Sequence, residues 1–218
     1  NQHGLVVPVA EIVAEARKRG IDVICDAAQS WGLLDFPITD LGADWVALNL
    51  HKWIGAPVGT GALYMRRGTL GKIAAYPGEE DPDDTKVAAR IHPGTINFAA
   101  RLAIPAALDF HEALGSANKE ARLRYLRSLW TDEAEHMTGI EVLGGSDEAS
   151  WTGIGSIRFA GKTTVDDARQ LQLRLEQQFS IFSVVRKGLA SGGCERITPQ
   201  VFNTPDEIGQ LVDAKRKL

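Results

Sequence analysis

Two short apolar runs, each stopping at polar residues, constrain this chain more than any other feature. IDVICDAAQS (21–30) and WVALNL (45–50) are rich in Val, Ile and Leu, and they stop at Asp26-Ala-Ala-Gln29 and at Asn49-Leu-His51-Lys52. Runs of this length and composition read as buried strands. Near-continuous apolar strands belong in a sheet covered on both faces. The preceding segment, PVAEIVAEARKRG (8–20), sets Val9, Ile12, Val13 and Ala16 on one helical face, with Pro8 suited to a first turn and Gly20 to the position just past the end. A third strand, ALYMRR (62–67), follows a glycine-rich loop at 55–61. The order predicts an α/β layer.

The pattern changes further along. Residues 98–115 read as a helix entered from HPGTIN (92–97), and 116–138 as a long amphipathic helix with Leu123, Leu126, Leu129 and Trp130 among its apolar positions. EVLGG, GIGSIRF and FSVVR then read as short strands, with a helix over 166–179 and a terminal helix in PDEIGQLVDAKRKL capped by Thr204 or Asp206. This is an α+β pattern. The expected division is a first domain over 1–114 and a second over 115–218. The stretch 77–86 (PGEEDPDDTK) is acidic and expected to face solvent.

Composition removes several function classes. The 24 Lys and Arg against 28 Asp and Glu give a net charge of −4, with no basic stripe for nucleic acid. No run of 18 apolar residues spans a membrane, and no signal peptide is visible. Two cysteines, Cys25 and Cys194, make no disulfide framework, so the expected location is the cytoplasm.

In open α/β sheets, ligands sit beyond the carboxyl ends of the strands. Asp26, Gln29, Asn49, His51 and Lys52 would converge at one such edge. A lysine in a crevice can be desolvated and made nucleophilic toward a carbonyl compound. If that compound is pyridoxal phosphate, a carboxylate is needed beside its pyridine nitrogen, and Asp26 is the available acid. Taken singly, each residue also has a plainer reading. Asp26 fits a helix cap or a surface acid, the His-Lys pair a solvated loop, and Gln29 a backbone contact. The 55–61 loop is no nucleotide P-loop, because no Lys follows Gly61.

The run CDAAQSWGLLDFPITDLGADWVALNLHKWIGAPVGTGALYMRR resembles the central segment of class V aminotransferases, a family of fold-type I pyridoxal-phosphate enzymes. The 26 positions from Asp26 to Lys52 agree with that family, and HPGTINFAA (92–100) and RITPQVFNTPDEI (196–208) extend the similarity almost to the C-terminus. The resemblance implies a partial fold-type I large domain followed by a small α+β domain. It implies that Lys52 holds the cofactor and moves the substrate's α-proton, and that Asp26 pairs with the pyridine nitrogen. Gln29 and Asn1 would contact the phenolic oxygen, and His51 the phosphate. Asn49 stands where many relatives carry Ser or Thr as a phosphate donor. Thr95 would reach the phosphate of a neighbouring subunit, which implies a homodimer. Arg196 would grip the α-carboxylate of an amino-acid substrate. Read without the family, Arg196 fits a surface ion pair and Thr95 a helix cap.

The details are most similar to the isopenicillin N epimerase-like branch, which implies chemistry at the α-carbon of an amino acid. Epimerisation, transamination and elimination all remain open. Desulfurases carry a nucleophilic Cys on a loop well before the carboxylate-binding Arg, whereas Cys194 lies two positions before Arg196. Persulfide transfer is therefore disfavoured, though a C–S lyase or desulfurase-like enzyme stands as an alternative. Family members are longer, so the chain is expected to be the C-terminal part of a longer enzyme and, by itself, to bind cofactor weakly or not at all. A truncated interaction module without catalysis is the alternative of another class.

Overall fold

The first helix, α1 (Val9–Lys18), begins after Pro8 and ends before Gly20. It buries Val13, with Val9 and Ala16 half-buried, while Ile12, expected on the same face, is exposed. The computed structural model describes residues 2–78, 85–91, 94–144 and 147–218. The 77–86 stretch and the lead-in HPGTIN therefore fall partly outside the described residues.

Three strands follow α1: β1 (Ile24–Asp26), β2 (Trp45–Asn49) and β3 (Gly61–Met65). They form one sheet in that order, β1 parallel to β2 and β2 antiparallel to β3. Val13, Ala27, Ala43 and Val46 make a small core on this sheet. The expectation of strands covered on both faces is corrected here. Ile24 is 73% and Leu63 49% exposed, so β1 and β3 each leave an apolar face open. Asp44, at the start of β2, laces the three strands together. It accepts from Val23 N at 2.8 Å and from Arg66 Nε at 3.0 Å, while Arg66 N donates to the Asp44 carbonyl at 2.9 Å. The Arg66 guanidinium holds the Asp44 carboxyl below the usual carboxylate range.

The single helix expected over 98–115 is two, α2 (Phe98–Leu102) and α3 (Ile104–Leu114). Pro105 lies in the first turn of α3, where its missing N–H costs least and where it cannot continue a preceding helix. Asn97, not Thr95, caps α2, its Oδ1 accepting from Ala100 N at 3.0 Å.

After Gly115 come α4 (Ser116–Glu135), β4 (Ile140–Leu143), β5 (Gly155–Phe159), α5 (Val165–Phe179), β6 (Val184–Arg186), β7 (Cys194–Ile197) and α6 (Pro205–Arg216). The strand β7, CERI, was not expected from its charged sequence. The four strands pair antiparallel in the order β4-β5-β7-β6. Helices α4, α5 and α6 cover one face, burying Leu126, Trp130, Ala134, Leu171, Leu175, Ile208 and Leu211 against Ile157 and Ile197. The apolar spacing of three and four along α4 sets Leu123, Leu126, Trp130 and Ala134 on one side. Gly155 makes this contact possible, since a Cβ there would lie 2.5 Å from the Trp130 ring. Capping boxes start α5, from Thr164 and Asp167, and α6, from Thr204 and Glu207.

The chain divides into Pro8–Gly115 and a second unit of Ser116–Leu218 together with the segment before Pro8. That segment was expected in the first domain. Its backbone bonds place it in the second: Thr152 N donates to Gly4 O at 2.9 Å and Val6 N to Ser150 O at 2.8 Å. Gly4 is required for the approach, with φ of +87° and the Ile154 carbonyl 2.1 Å from any added Cβ.

Candidate functional site

Because β1 and β2 run parallel, their carboxyl ends lie at the same sheet edge, Asp26 pairing in register with Ala47. The antiparallel β3 starts at that edge too, with Gly61 opposite Asn49. The loop between β2 and β3 therefore sits there, and it carries His51 and Lys52. Asp26, Gln29, Asn49, His51 and Lys52 all belong to this one corner of the Pro8–Gly115 unit.

Each side chain is placed by a local cause. Asp26 Oδ1 accepts from Ala28 N at 2.9 Å, closing an Asx turn that starts the 27–30 bend. Asp26 is exposed, and Oδ1 is its hydrogen-bonded oxygen among the described residues. Asn49 Oδ1 accepts from Lys52 N at 3.1 Å and so caps the 51–54 turn. Asn49 Nδ2 faces His51 Nε2 at 3.4 Å. With Nε2 accepting from the amide, the His51 proton resides on Nδ1, a buried atom that has no hydrogen-bond partner among the described residues. Lys52 is half-buried beside it.

The residue after Lys52 escaped sequence reasoning. Trp53 is buried, and its Nε1 donates to Gln29 Oε1 at 3.1 Å. That bond fixes which way the Gln29 amide faces and leaves Nε2 as its outward donor. The available signal was a Trp inside a polar turn, since a buried indole N–H seeks an acceptor. Leu50, Ile54 and Ala56 pack under the same turn with Ile104, Ala107 and Leu108 of α3, giving it an apolar floor.

The other expected residues lie elsewhere. Thr95 is an exposed bend residue after Gly94. Asn1 lies outside the described residues. Arg196 belongs to the second unit, on β7 opposite Ser156 and Val184, and is buried rather than at the surface. Burial, followed by the charge of Arg186, lowers its guanidinium to about 10. Beneath it, on the helix-covered face, the adjacent Glu195 is fully buried and accepts from Ser183 Oγ. Lys215 of α6 lies under the same sheet, its Nζ 4.1 Å from the Trp130 ring centre. Burial pushes Glu195 up to about 7 and Lys215 down to about 7.

The donor set at the β1–β2 edge suits pyridoxal phosphate. A carboxylate oxygen, an oriented amide N–H, an orphaned imidazole N–H and a lysine amine are what a protonated ring nitrogen, a phenolic oxygen, a phosphate and an aldehyde require. Among the described residues no group of three His, Cys, Asp or Glu side chains is arranged to hold a metal. No helix among them is long and apolar enough to cross a membrane.

Comparison with known proteins places the chain among relatives of one family. The chain is 30% identical to isopenicillin N epimerase of Streptomyces clavuligerus over 97% of this chain and 56% of the epimerase. It is 28% identical to a probable chloroplastic L-cysteine desulfhydrase of Arabidopsis thaliana, over 96% of this chain and 47% of that protein. The chain thus spans about half the length of the curated relatives it matches. Among solved structures, an apo cysteine desulfurase from Thermococcus onnurineus NA1 superposes with a TM-score of 0.83 at 22% identity, covering 100% of this chain and 57% of that one. A cystine C–S lyase in complex with its product cysteine persulfide gives 0.80 at 24% identity, covering 97% and 57%. These two likenesses show the fold, a partial fold-type I architecture. The class V aminotransferase model matches residues 1–188, and the chain belongs to that family.

Proposed function

We propose that this chain supplies the cofactor lysine and the carboxylate-binding strand of a pyridoxal-phosphate-dependent enzyme acting at the α-carbon of an amino acid. The observation that carries this reading is the convergence of Asp26, Gln29, Asn49, His51 and Lys52 at the carboxyl edge of β1 and β2. Bound there, pyridoxal phosphate supplies an electron-accepting ring. Asp26 holds a proton at the ring nitrogen through its carboxylate. Gln29 donates Nε2 to the phenolic oxygen, held in that sense by Trp53. His51 would donate Nδ1 to the phosphate, and Asn49 braces His51 through its Nδ2 and stands at the position from which relatives with Ser or Thr would donate to the same group. Lys52 Nζ anchors the cofactor and moves the α-proton. Arg196 offers its planar fork to the substrate carboxylate. By the family resemblance, Thr95 would reach the phosphate site of a second subunit in a homodimer and Asn1, outside the described residues, would serve the phenolic oxygen. Both cysteines are free thiols, which fits a cytoplasmic protein.

The thiols also bear on the reaction. Cys194 is fully buried inside β7 and Cys25 half-buried, and burial raises both above the ordinary thiol value. Neither has the exposed thiolate that persulfide transfer needs. Epimerisation is the first reading, by similarity to the epimerase. Elimination is the second, favoured by the similarity to the desulfhydrase.

The test is Lys52→Ala. The parent protein, purified and incubated with pyridoxal phosphate, should show the visible absorbance of lysine-bound cofactor, and the variant should lose it completely, whereas the 218-residue chain alone should bind the cofactor weakly or not at all. Absorbance that survives in the variant overturns the assignment. Solvent-deuterium exchange at the α-carbon without release of keto acid supports epimerisation, and release of keto acid with sulfide from cysteine supports elimination.

A further inference from the structure

Two ionisable groups lie in the core of the second unit and take no part in the proposed chemistry. Glu195 is 0% and Lys215 3% exposed. Alternate residues of a strand share a face, so Glu195 points with Ile197 toward the helices while its neighbour Arg196 points the other way. The register sets Glu195 between Ile157 of β5 and Val185 of β6, and Arg196 between Ser156 and Val184. Glu195 thus lies under Arg196, across one thickness of sheet.

Ser183 Oγ, just before β6, donates to Glu195 Oε1 and holds the carboxyl there. Glu195 Oε2 is buried with no hydrogen-bond partner, and so is Lys215 Nζ, so the two groups do not bond each other. Lys215 Nζ instead lies 4.1 Å from the Trp130 ring centre, a position that suits an ammonium. Apolar residues of similar volume would fill this space with little or no loss of stability. Packing therefore does not account for the pair.

Charge does. Burial moves the two groups toward each other, Glu195 up to about 7 and Lys215 down to about 7. On the acid side the pair is a neutral carboxyl and an ammonium, with a net positive charge. On the alkaline side it is a carboxylate and a neutral amine, with a net negative charge. The charge beneath β7 therefore reverses sign across neutral pH.

The surrounding charged groups do not duplicate this reversal. On α4, Glu120 pairs with Arg124, Arg122 donates to Asn203 O and Arg127 lies over Trp151. Lys119, lowered by burial to about 8, is on α4 too, but about three turns from Trp130. Arg174 of α5 donates to Leu218 O, and Arg216 of α6 pairs with Glu133 at the surface. Ile157, Val185 and Ile197 on the strands are apolar. On the open face the cations are arginines, which keep their charge at neutral pH, and burial pushes the Cys194 thiol up, away from neutrality. Burial holds His3 below its ordinary value, so it charges only on the acid side.

We propose that Glu195 and Lys215 form a pH-operated charge under Arg196, which strengthens the hold on the substrate carboxylate on the acid side of neutrality and loosens it on the alkaline side. The proposal rests on the reading of Arg196 as the α-carboxylate ligand. A unit charge about 12 Å away, at an effective dielectric constant of about 20, changes a binding constant about tenfold. A reversal of sign, weakened by solvent on the open face, should keep at least that much.

Butyrate carries one carboxylate and no amino group, so its binding reads Arg196 apart from any reaction at a cofactor. Calorimetric titration of the parent protein should give a dissociation constant roughly tenfold higher at about pH 8 than at about pH 6. Glu195→Gln removes the charge that raises Lys215, and should move the transition to lower pH. Lys215→Met removes the charge that lowers Glu195, and should move it to higher pH. The double variant, neutral and similar in volume, should bind butyrate with one affinity throughout. A merely structural pair would weaken binding without displacing the transition in opposite directions, which overturns the proposal. So would a transition that survives in the double variant, which would belong to Lys119 or His3. The parental profile needs no substitution, so a flat one overturns the proposal even if every variant fails to fold. Arg196→Gln separates the two readings. If it loses butyrate while the parental profile is flat, only the buried charge fails. If it binds butyrate as tightly as the parent, the carboxylate reading fails and the proposal falls with it.

Discussion

The two sheets of this chain are built to different standards of cover. In the four-stranded sheet, every residue of β7 and the first four of β5 are buried, and three helices seal one face. In the three-stranded sheet, β1 alternates exposed and half-buried, and β3 is exposed along its first three residues. The thinly covered sheet holds the lysine, the acid and the imidazole; the sealed one holds the buried arginine and an enclosed Glu–Lys pair. The groups proposed to meet a cofactor sit at a strand edge whose sheet is thinly covered, on a turn with an apolar floor of Leu50, Ile54 and Ala56. The groups of the sealed sheet sit where packing fixes the backbone. Local stability should differ accordingly.

The largest expected effect tests whether the sealed unit owns its core. Trp130→Ala removes a fully buried ring and should cost about 3–5 kcal/mol. Hydrogen exchange should then accelerate across α4, α6, β5 and β7 and stay unchanged at β1 and β2. Equal acceleration in both sheets would break the comparison.

A smaller effect concerns the enclosed pair. Glu195 titrates near 7 in the folded chain, above its ordinary value of 4.5, because burial disfavours its charge. Between those values the folded form keeps a proton that the unfolded form releases, so stability falls as pH rises through the window. Lys215, depressed to about 7, has the opposite slope above that point. Denaturation midpoints should therefore show a trough near neutrality. Glu195→Gln should flatten its acid limb, and a variant with the same acid limb as the parent would show that Glu195 is not its source.

The smallest effect sharpens the open side of the comparison. Trp53→Phe keeps an aromatic ring at this position but deletes the hydrogen bond to Gln29, worth about 1 kcal/mol, so cofactor affinity should fall about fivefold. In Gln29→Ala the same change should have no further effect, read by absorbance titration as a double-mutant cycle. Additive losses would mean that the indole does not act through the amide.

The sequence exposed the site corner because strand ends are local features. An apolar run that stops at Asp26 or at Asn49 marks its own end, and parallel pairing then aligns the two stops. Thr204 was legible as a cap for the same reason, with Glu207 three residues on. The misses are tertiary. CERI looks like surface until Ser183 and Lys215 enclose Glu195, and no local pattern announces those partners. The exposure of Ile24 depends on what covers a sheet face, which its own strand does not encode. The break before α3 was readable from Pro105. The reassignment of the residues before Pro8 required seeing Gly4 pressed against the Ile154 carbonyl.

The bond from Lys52 N to Asn49 Oδ1 has a mechanical meaning. It clamps the lysine's backbone to the end of β2, so the amine can sweep only the arc that its own four-carbon stem allows. A reactive group on a fixed pivot meets its target at a high effective concentration, and widening the pivot dilutes it. In the role proposed for Lys52, Asn49 would act without touching the proton or the bond, by setting how often Nζ arrives at its target.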